Sequence, residues 1–92
     1  LQVKIMDFGL SKTSGKYYVI YKITDMTEEI KTKLKEMIED ELTEKSGDLY
    51  LTLYFDEKYF PFNSDEASWR MADFIAREEI EMTAYLVSIL ED

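Results

Sequence analysis

Between positions 49 and 55 the chain reads Leu-Tyr-Leu-Thr-Leu-Tyr-Phe, so that Leu49, Leu51, Leu53 and Phe55 alternate with Tyr50, Thr52 and Tyr54. A period of two is the mark of a strand, because successive side chains point to opposite faces of a sheet. This strand therefore has one aliphatic and one aromatic face. The aliphatic face must be covered by a helix. The tyrosine face needs a second cover, or it stands as an exposed adhesive surface.

The other elements arrange themselves around that strand. Leu1, Val3 and Ile5 alternate first, then Met6, Phe8 and Leu10 alternate in the opposite phase. A phase shift near Asp7 and beside Gly9 predicts a bulged strand. Ser11 to Lys16, with Gly15, is a polar turn, and Tyr17 to Thr24 is a second strand rich in β-branched and aromatic residues, which completes a hairpin. Asp25 followed by Glu28 fits an N-cap with its reciprocal partner. Met26, Ile30, Leu34, Met37, Ile38 and Leu42 then recur at helical spacing. Lys45 in the last turn and Gly47 beyond it read as that helix's stop signal.

Asn63 and Glu66 repeat the capping pattern before a final apolar segment. There Arg70, Asp73, Arg77, Glu81 and Ser88 form one narrow polar stripe. Ile80 to Leu90 is rich enough in β-branched residues to form a strand instead, but the coherent stripe favours a helix. One continuous helix of about 28 residues is about 42 Å long, more than a domain of this size covers. The expected fold is α+β in the order ββαβα, with helices packed on an antiparallel or mixed sheet. Ninety-two residues leave room for one core, so 1–92 is read as a single acidic domain.

Composition limits what such a domain can do. With neither cysteine nor histidine, there is no disulfide framework, no thiolate zinc site and no imidazole base. No apolar run is long enough to span a membrane. Leu1 in place of Met points to a trimmed N-terminus, and a cytoplasmic setting is expected. Few amides with many Glu and Lys is a hyperthermophile habit, which the five methionines oppose. The net charge is −9 and uneven: residues 1–22 carry four lysines against Asp7, whereas residues 23–92 carry 7 basic and 19 acidic residues. Such a field repels nucleic acid and anionic lipid and attracts basic surfaces; the competing explanation is that it only confers solubility.

Candidate chemistry mostly fails on inspection. Asp7-Phe8-Gly9 after a strand looks like the magnesium-binding segment of a protein kinase, but the catalytic-loop base, phosphate lysine and glycine-rich loop are missing. Gly9 to Lys16 has the wrong glycine spacing for a phosphate loop, and Tyr17 follows Lys16. Asp56 and Glu57 at a strand end are the best placed pair for magnesium or acid/base work, with a solvated turn as the simpler reading. Glu36, Glu39, Asp40 and Glu44 are expected on the outer face of the first helix, either as an ordinary solvated face or as an acidic docking ridge. Trp69, Met71, Phe74 and Ile75 are read as core or dimer interface and not as a ligand pocket, with Trp69, Met71, Phe74 and Tyr85 as the candidate dimer contacts.

Lys16 to Ile23, the Lys/Glu helix and the Leu49 to Phe55 strand together resemble small acidic proteins of archaeal rod-shaped viruses, one family of which inhibits type I-D CRISPR interference. The likeness is in size, order of elements and composition. It implies a homodimer that binds the large subunit of the interference complex, and it transfers no site residues. The expectation is thus a non-enzymatic inhibitor without a cofactor, contacting no nucleic acid or membrane itself. It would dock Glu36, Glu39, Asp40, Glu44, Asp56 and Glu57 on a basic host protein. A dimeric structural or regulatory module, or a magnesium-dependent enzyme using Asp56 and Glu57, are the alternatives.

Overall fold

The computed structural model describes residues 1–56 and 67–91, with the side chains of 67–71 outside the description. The order is β1 (Gln2–Leu10), β2 (Tyr17–Thr24), α1 (Glu28–Met37), β3 (Glu41–Lys45), β4 (Asp48–Phe55) and α2 (Ala67–Glu91). The strands form one antiparallel sheet in the order β1-β2-β4-β3. The fold is α+β, as the periodicities require, with one more strand than they led us to expect.

The alternation in β4 sorts the whole sheet. Cross-strand partners share a face, and the β2–β4 register sets Val19 against Leu53, Tyr21 against Leu51 and Ile23 against Leu49. Val19, Tyr21, Ile23, Leu49 and Leu51 are buried almost completely, together with Leu34 and Ile38 from the α1 side and Phe74, Met82 and Leu86 from α2. Both helices therefore cover the aliphatic face. Tyr18, Ile20 and Lys22 on β2 and Tyr50, Thr52 and Tyr54 on β4 lie on the other face, and Tyr54 is 51% exposed.

β1 carries the expected irregularity. The β1–β2 register shifts between Ile5 and Asp7, which leaves Met6 as the extra, solvent-exposed residue. The shift keeps both Ile5 and Phe8 against the core despite their odd spacing. Gly9 has a different purpose from the one its neighbourhood predicted. It pairs in register with Tyr18, and a Cβ there would lie 2.9 Å from the Tyr18 hydroxyl. The missing side chain makes room for the tyrosine ring across the strand.

The first helix is shorter than its apolar stripe predicts. Its N-cap is Thr27 and not Asp25: the Thr27 hydroxyl accepts a bond from the Ile30 amide at 3.2 Å, satisfying one orphan donor. Asp25 instead has φ 58°. The helix ends at Met37, and Ile38 turns extended while its amide still donates to the Leu34 carbonyl at 2.9 Å. Residues 41–45 are a strand. Ser46 and Gly47, at φ 55° and 85°, form a two-residue turn of the kind that matches strand twist in a hairpin, so Gly47 closes a hairpin and does not stop a helix. Leu42 lies opposite Leu51 and reaches the core by strand alternation; its spacing four residues after Ile38 fits a helix equally well.

α2 is helical through Ile80 to Leu90, and the alternative of a strand there is excluded. Its 25 residues make about 37 Å of helix. Only the longest dimension of the 43 × 27 × 25 Å body accommodates that length. Asp73, Arg77, Glu81 and Ser88 face solvent as the polar stripe requires. The capping pair Asn63 and Glu66 lies outside the described residues.

Leu51 is 1% exposed beneath the helices. Truncation to Ala is expected to cost about 2–5 kcal/mol in urea denaturation, and Leu51→Asp should unfold the chain. A Leu51→Asp variant with an unchanged circular dichroism spectrum would contradict the assignment of faces.

Candidate functional site

Two surfaces stand out once the core is assigned. The first is the shoulder where α1 passes into β3. The second is the open face of the sheet.

At the shoulder, α1's lysines are engaged within the chain. The Lys31 side chain is only 6% exposed, and its ammonium reaches Glu28 and Glu44, each at 3.2 Å. Lys35 also binds Glu44, and Lys33 Nζ donates to the Leu90 carbonyl at 2.7 Å, tying α1 to the end of α2. Glu44 is thus gripped by two lysines. Its carboxyl is held below the ordinary value chiefly by the Lys35 bond and then by Lys31. The Lys31 ammonium is pushed up, chiefly by its bond to Glu44 and then by that to Glu28. Lys31 sits where a buried ammonium must be paired, and β3 supplies the second carboxylate.

The expected acidic ridge is therefore redistributed. Glu36 lies in the last turn of α1, Glu39 and Asp40 lie in the connection, and Glu44 lies on β3. They do not share a helix face, because the helix ends before Glu39. Glu36, Glu39 and Asp40 are exposed, and no lysine or arginine among the described residues pairs with them. Glu44 belongs to the structural clamp. Asp56 is exposed just past β4, and Glu57 lies outside the described residues. No group of three or more acidic side chains among the described residues is placed to hold a metal ion.

Of the expected dimer contacts, Phe74 is 6% exposed and packs edge-to-face on Phe55 with ring centres 6.4 Å apart. It is core, the first of the two readings its sequence allowed. Tyr85 is 50% exposed on α2. The side chains of Trp69 and Met71 lie outside the described residues.

The open face has an order of its own. At one end the Tyr18 hydroxyl donates to Asp7 and the Tyr54 hydroxyl donates to Glu41, each at 3.3 Å. Both hydroxyls are raised above the ordinary tyrosine value, chiefly by the charge of that neighbouring carboxylate. At the other end lie Lys4, Lys22 and Lys45, with Asp48 3.8 Å from Lys22.

Two residues absent from the sequence reading fasten α2 to the sheet. The Glu78 carboxylate accepts a bond from the buried Tyr21 hydroxyl at 3.2 Å, and Glu79 accepts one from the Ile5 amide at 2.7 Å. Glu79 thereby occupies a backbone donor on the edge strand β1, one way of blunting an edge against pairing. Burial and then the charge of Glu78 push the Tyr21 hydroxyl far above its ordinary range. The available signal was helical phase: Glu78 and Glu79 fall off the stripe of Asp73, Arg77 and Glu81, and a carboxylate off the solvent stripe needs a donor. Beside Glu79, a largely apolar cleft of about 570 Å³ lies between β1 and α2, with Val3, Ala76 and Ile80 in its walls.

The fold and these surfaces define a small α+β domain with helices on one side of a four-stranded antiparallel sheet and a tyrosine-rich face on the other. The chain belongs to DUF5750, a family of unknown function, whose model matches residues 2–92. No curated protein matches it. No helix among the described residues is long and apolar enough to cross a membrane.

Two predictions follow the ionisable groups. Glu44 titrates below its ordinary value of 4.5 when folded, so its stabilisation is present above that value and lost as pH falls through the folded one. Tyr21 and Lys31 titrate above their ordinary 10.0 and 10.5, so their stabilisation is complete below those values and lost as pH rises. Urea midpoints should be flat near neutrality and fall on both sides, and Tyr21→Phe should flatten the alkaline limb. An unchanged alkaline limb in that variant would contradict the burial of the hydroxyl. Separately, Glu44→Ala should lower the melting temperature, whereas Glu39→Ala should leave it within about a degree, as for an ordinary surface position.

Proposed function

We propose that this chain is a non-enzymatic binding protein that docks a carboxylate-rich surface on a basic, nucleic-acid-handling protein. The observation that carries the reading is the division of labour among its charges. The lysines of α1 are committed within the chain, to Glu28, Glu44 and the Leu90 carbonyl. Glu36, Glu39 and Asp40 are displayed with no cationic partner among the described residues, and Asp56 is exposed as well. A compact body that shows carboxylates in this way can occupy a surface built to hold a phosphate backbone.

The narrower proposal is an inhibitor of type I-D CRISPR interference, working in the cytoplasm of a host cell against the large subunit of the complex. Its support is the resemblance in size, composition and order of elements. The charge argument holds for any basic partner surface of that kind.

Charge reversal tests the docking surface without touching the core. Glu36→Lys, Glu39→Lys and Asp40→Lys combined should weaken binding to the purified large subunit more than about tenfold, since like charges set across an interface cost several kcal/mol. Glu44 is left intact because its reversal would break the lysine clamp. Added salt should slow association of the wild-type protein more than it speeds dissociation. Full-strength binding by the triple variant would exclude the shoulder, and no binding by the wild type at low salt would defeat the narrower proposal.

A further inference from the structure

We infer that the open face of the sheet is the interface of a homodimer in which two copies stack their sheets face to face. This stands apart from the reading of the acidic shoulder, which lies at the junction of α1 and β3.

Among the described residues neither helix covers this face, on which Tyr54 is 51% exposed, and its charge pattern identifies a partner for it. Its side chains form rows across the strands. Lys4 and Lys22 lie in one row with Tyr50 and Thr43; Asp7 and Glu41 lie in the next, with Ile20 and Thr52 between them. One end of the face thus carries three lysines against Asp48, and the other end carries two carboxylates held by tyrosine hydroxyls. A face whose lysine row lies directly beside its carboxylate row is complementary to a second copy turned end for end.

The symmetry operator follows from that polarity. A two-fold axis between the two sheets, running across the strands, superposes each end of one copy on the opposite end of its partner. Strands stay over their own counterparts and run in opposite directions. Lys4 then lies over Asp7 of the partner subunit, Thr43 lies over Glu41 of the partner subunit, Tyr50 lies over Thr52 of the partner subunit, and the aliphatic stem of Lys22 lies over Ile20 of the partner subunit. The other in-plane two-fold, along the strands, would set Asp7 over Glu41 of the partner subunit and is disfavoured by like charge. Stacked sheets sit about 10 Å apart with interdigitated side chains, a separation that tyrosine fills.

The area is adequate. Strand spacing and rise give strands of these lengths a face on the order of 500 Å² per copy, or about 1,000 Å² for the pair, at the lower bound for a specific interface. Edge-to-edge pairing through β1 is a poorer route, because the bulge at Met6 distorts that edge and Glu79 already occupies the Ile5 amide.

Mixing charge variants tests the operator itself. The wild-type chain should sediment as a dimer at micromolar concentration. Lys4→Asp sets two aspartates against each other at both symmetric contacts, and Asp7→Lys sets two lysines there, so each alone should weaken the dimer more than about tenfold. Mixed in equal amounts, the two variants place opposite charges at both contacts and should recover a dimer containing one of each. Asp7 also accepts a bond from the Phe8 amide, so Thr52→Lys at the uncharged centre serves as a second variant and should give a folded monomer. A monomeric wild-type chain would overturn the inference. So would a dimer that survives Thr52→Lys and both charge variants, which would place the contact elsewhere, for example on the exposed Ile80 and Val87 of α2.

Discussion

The pairing of β2 with β4 is the constraint on which everything else rests. It sets Val19, Tyr21 and Ile23 directly beside Leu53, Leu51 and Leu49, making a continuous apolar band that both helices must cover. Because a strand's side chains alternate, the same register commits Tyr18, Ile20, Tyr50, Thr52 and Tyr54 to the other side. A slip of one residue would exchange the two sets. The buried core and the displayed tyrosine face are therefore one fact seen from two sides. Tyr21 adds a polar fastening to the band, since its hydroxyl meets Glu78 of α2 at the part-buried margin of the core.

Charge is organised as strictly as hydrophobicity. Lys31 lies nearly buried between α1 and β3 and holds carboxylates from both. Such a pairing is costly to break and contributes little by count alone, but it fixes where β3 can lie relative to α1. With Lys33 and Lys35 also engaged, the acidic residues of the shoulder are left to dominate the surface there. The whole-chain charge of −9 understates how one-sided that local surface is.

Much of this was legible in the sequence, and the gaps have physical causes. The strand of residues 49–55 was readable because Leu49, Leu51, Leu53 and Phe55 alternate with Tyr50, Thr52 and Tyr54, the hairpin before it from its β-branched and aromatic run, and the bulge from the phase shift. The end of α1 was not, because Leu42 satisfies both a helical period from Ile38 and a strand alternation opposite Leu51. What decided it was tertiary: β4 had a free edge to pair, and Ser46-Gly47 could make the turn. The acidic ridge failed with the helix that was to carry it. Glu44 looked like a displayed carboxylate and is a clamp. Glu78 and Glu79 were overlooked because attention to an amphipathic stripe discounts the few charges that lie off it.

Amide hydrogen exchange followed residue by residue tests the central claim most directly. If the β2–β4 band is the foundation, the slowest amides lie within Val19 to Ile23 and Leu49 to Leu53 and open only with global unfolding. Residues 41–45 should then exchange faster, in the alternating pattern of an edge strand. The account would be contradicted if β2 and β4 exchanged early while α2 held the slowest amides, or if residues 38–45 showed the uniform protection of a continuing helix.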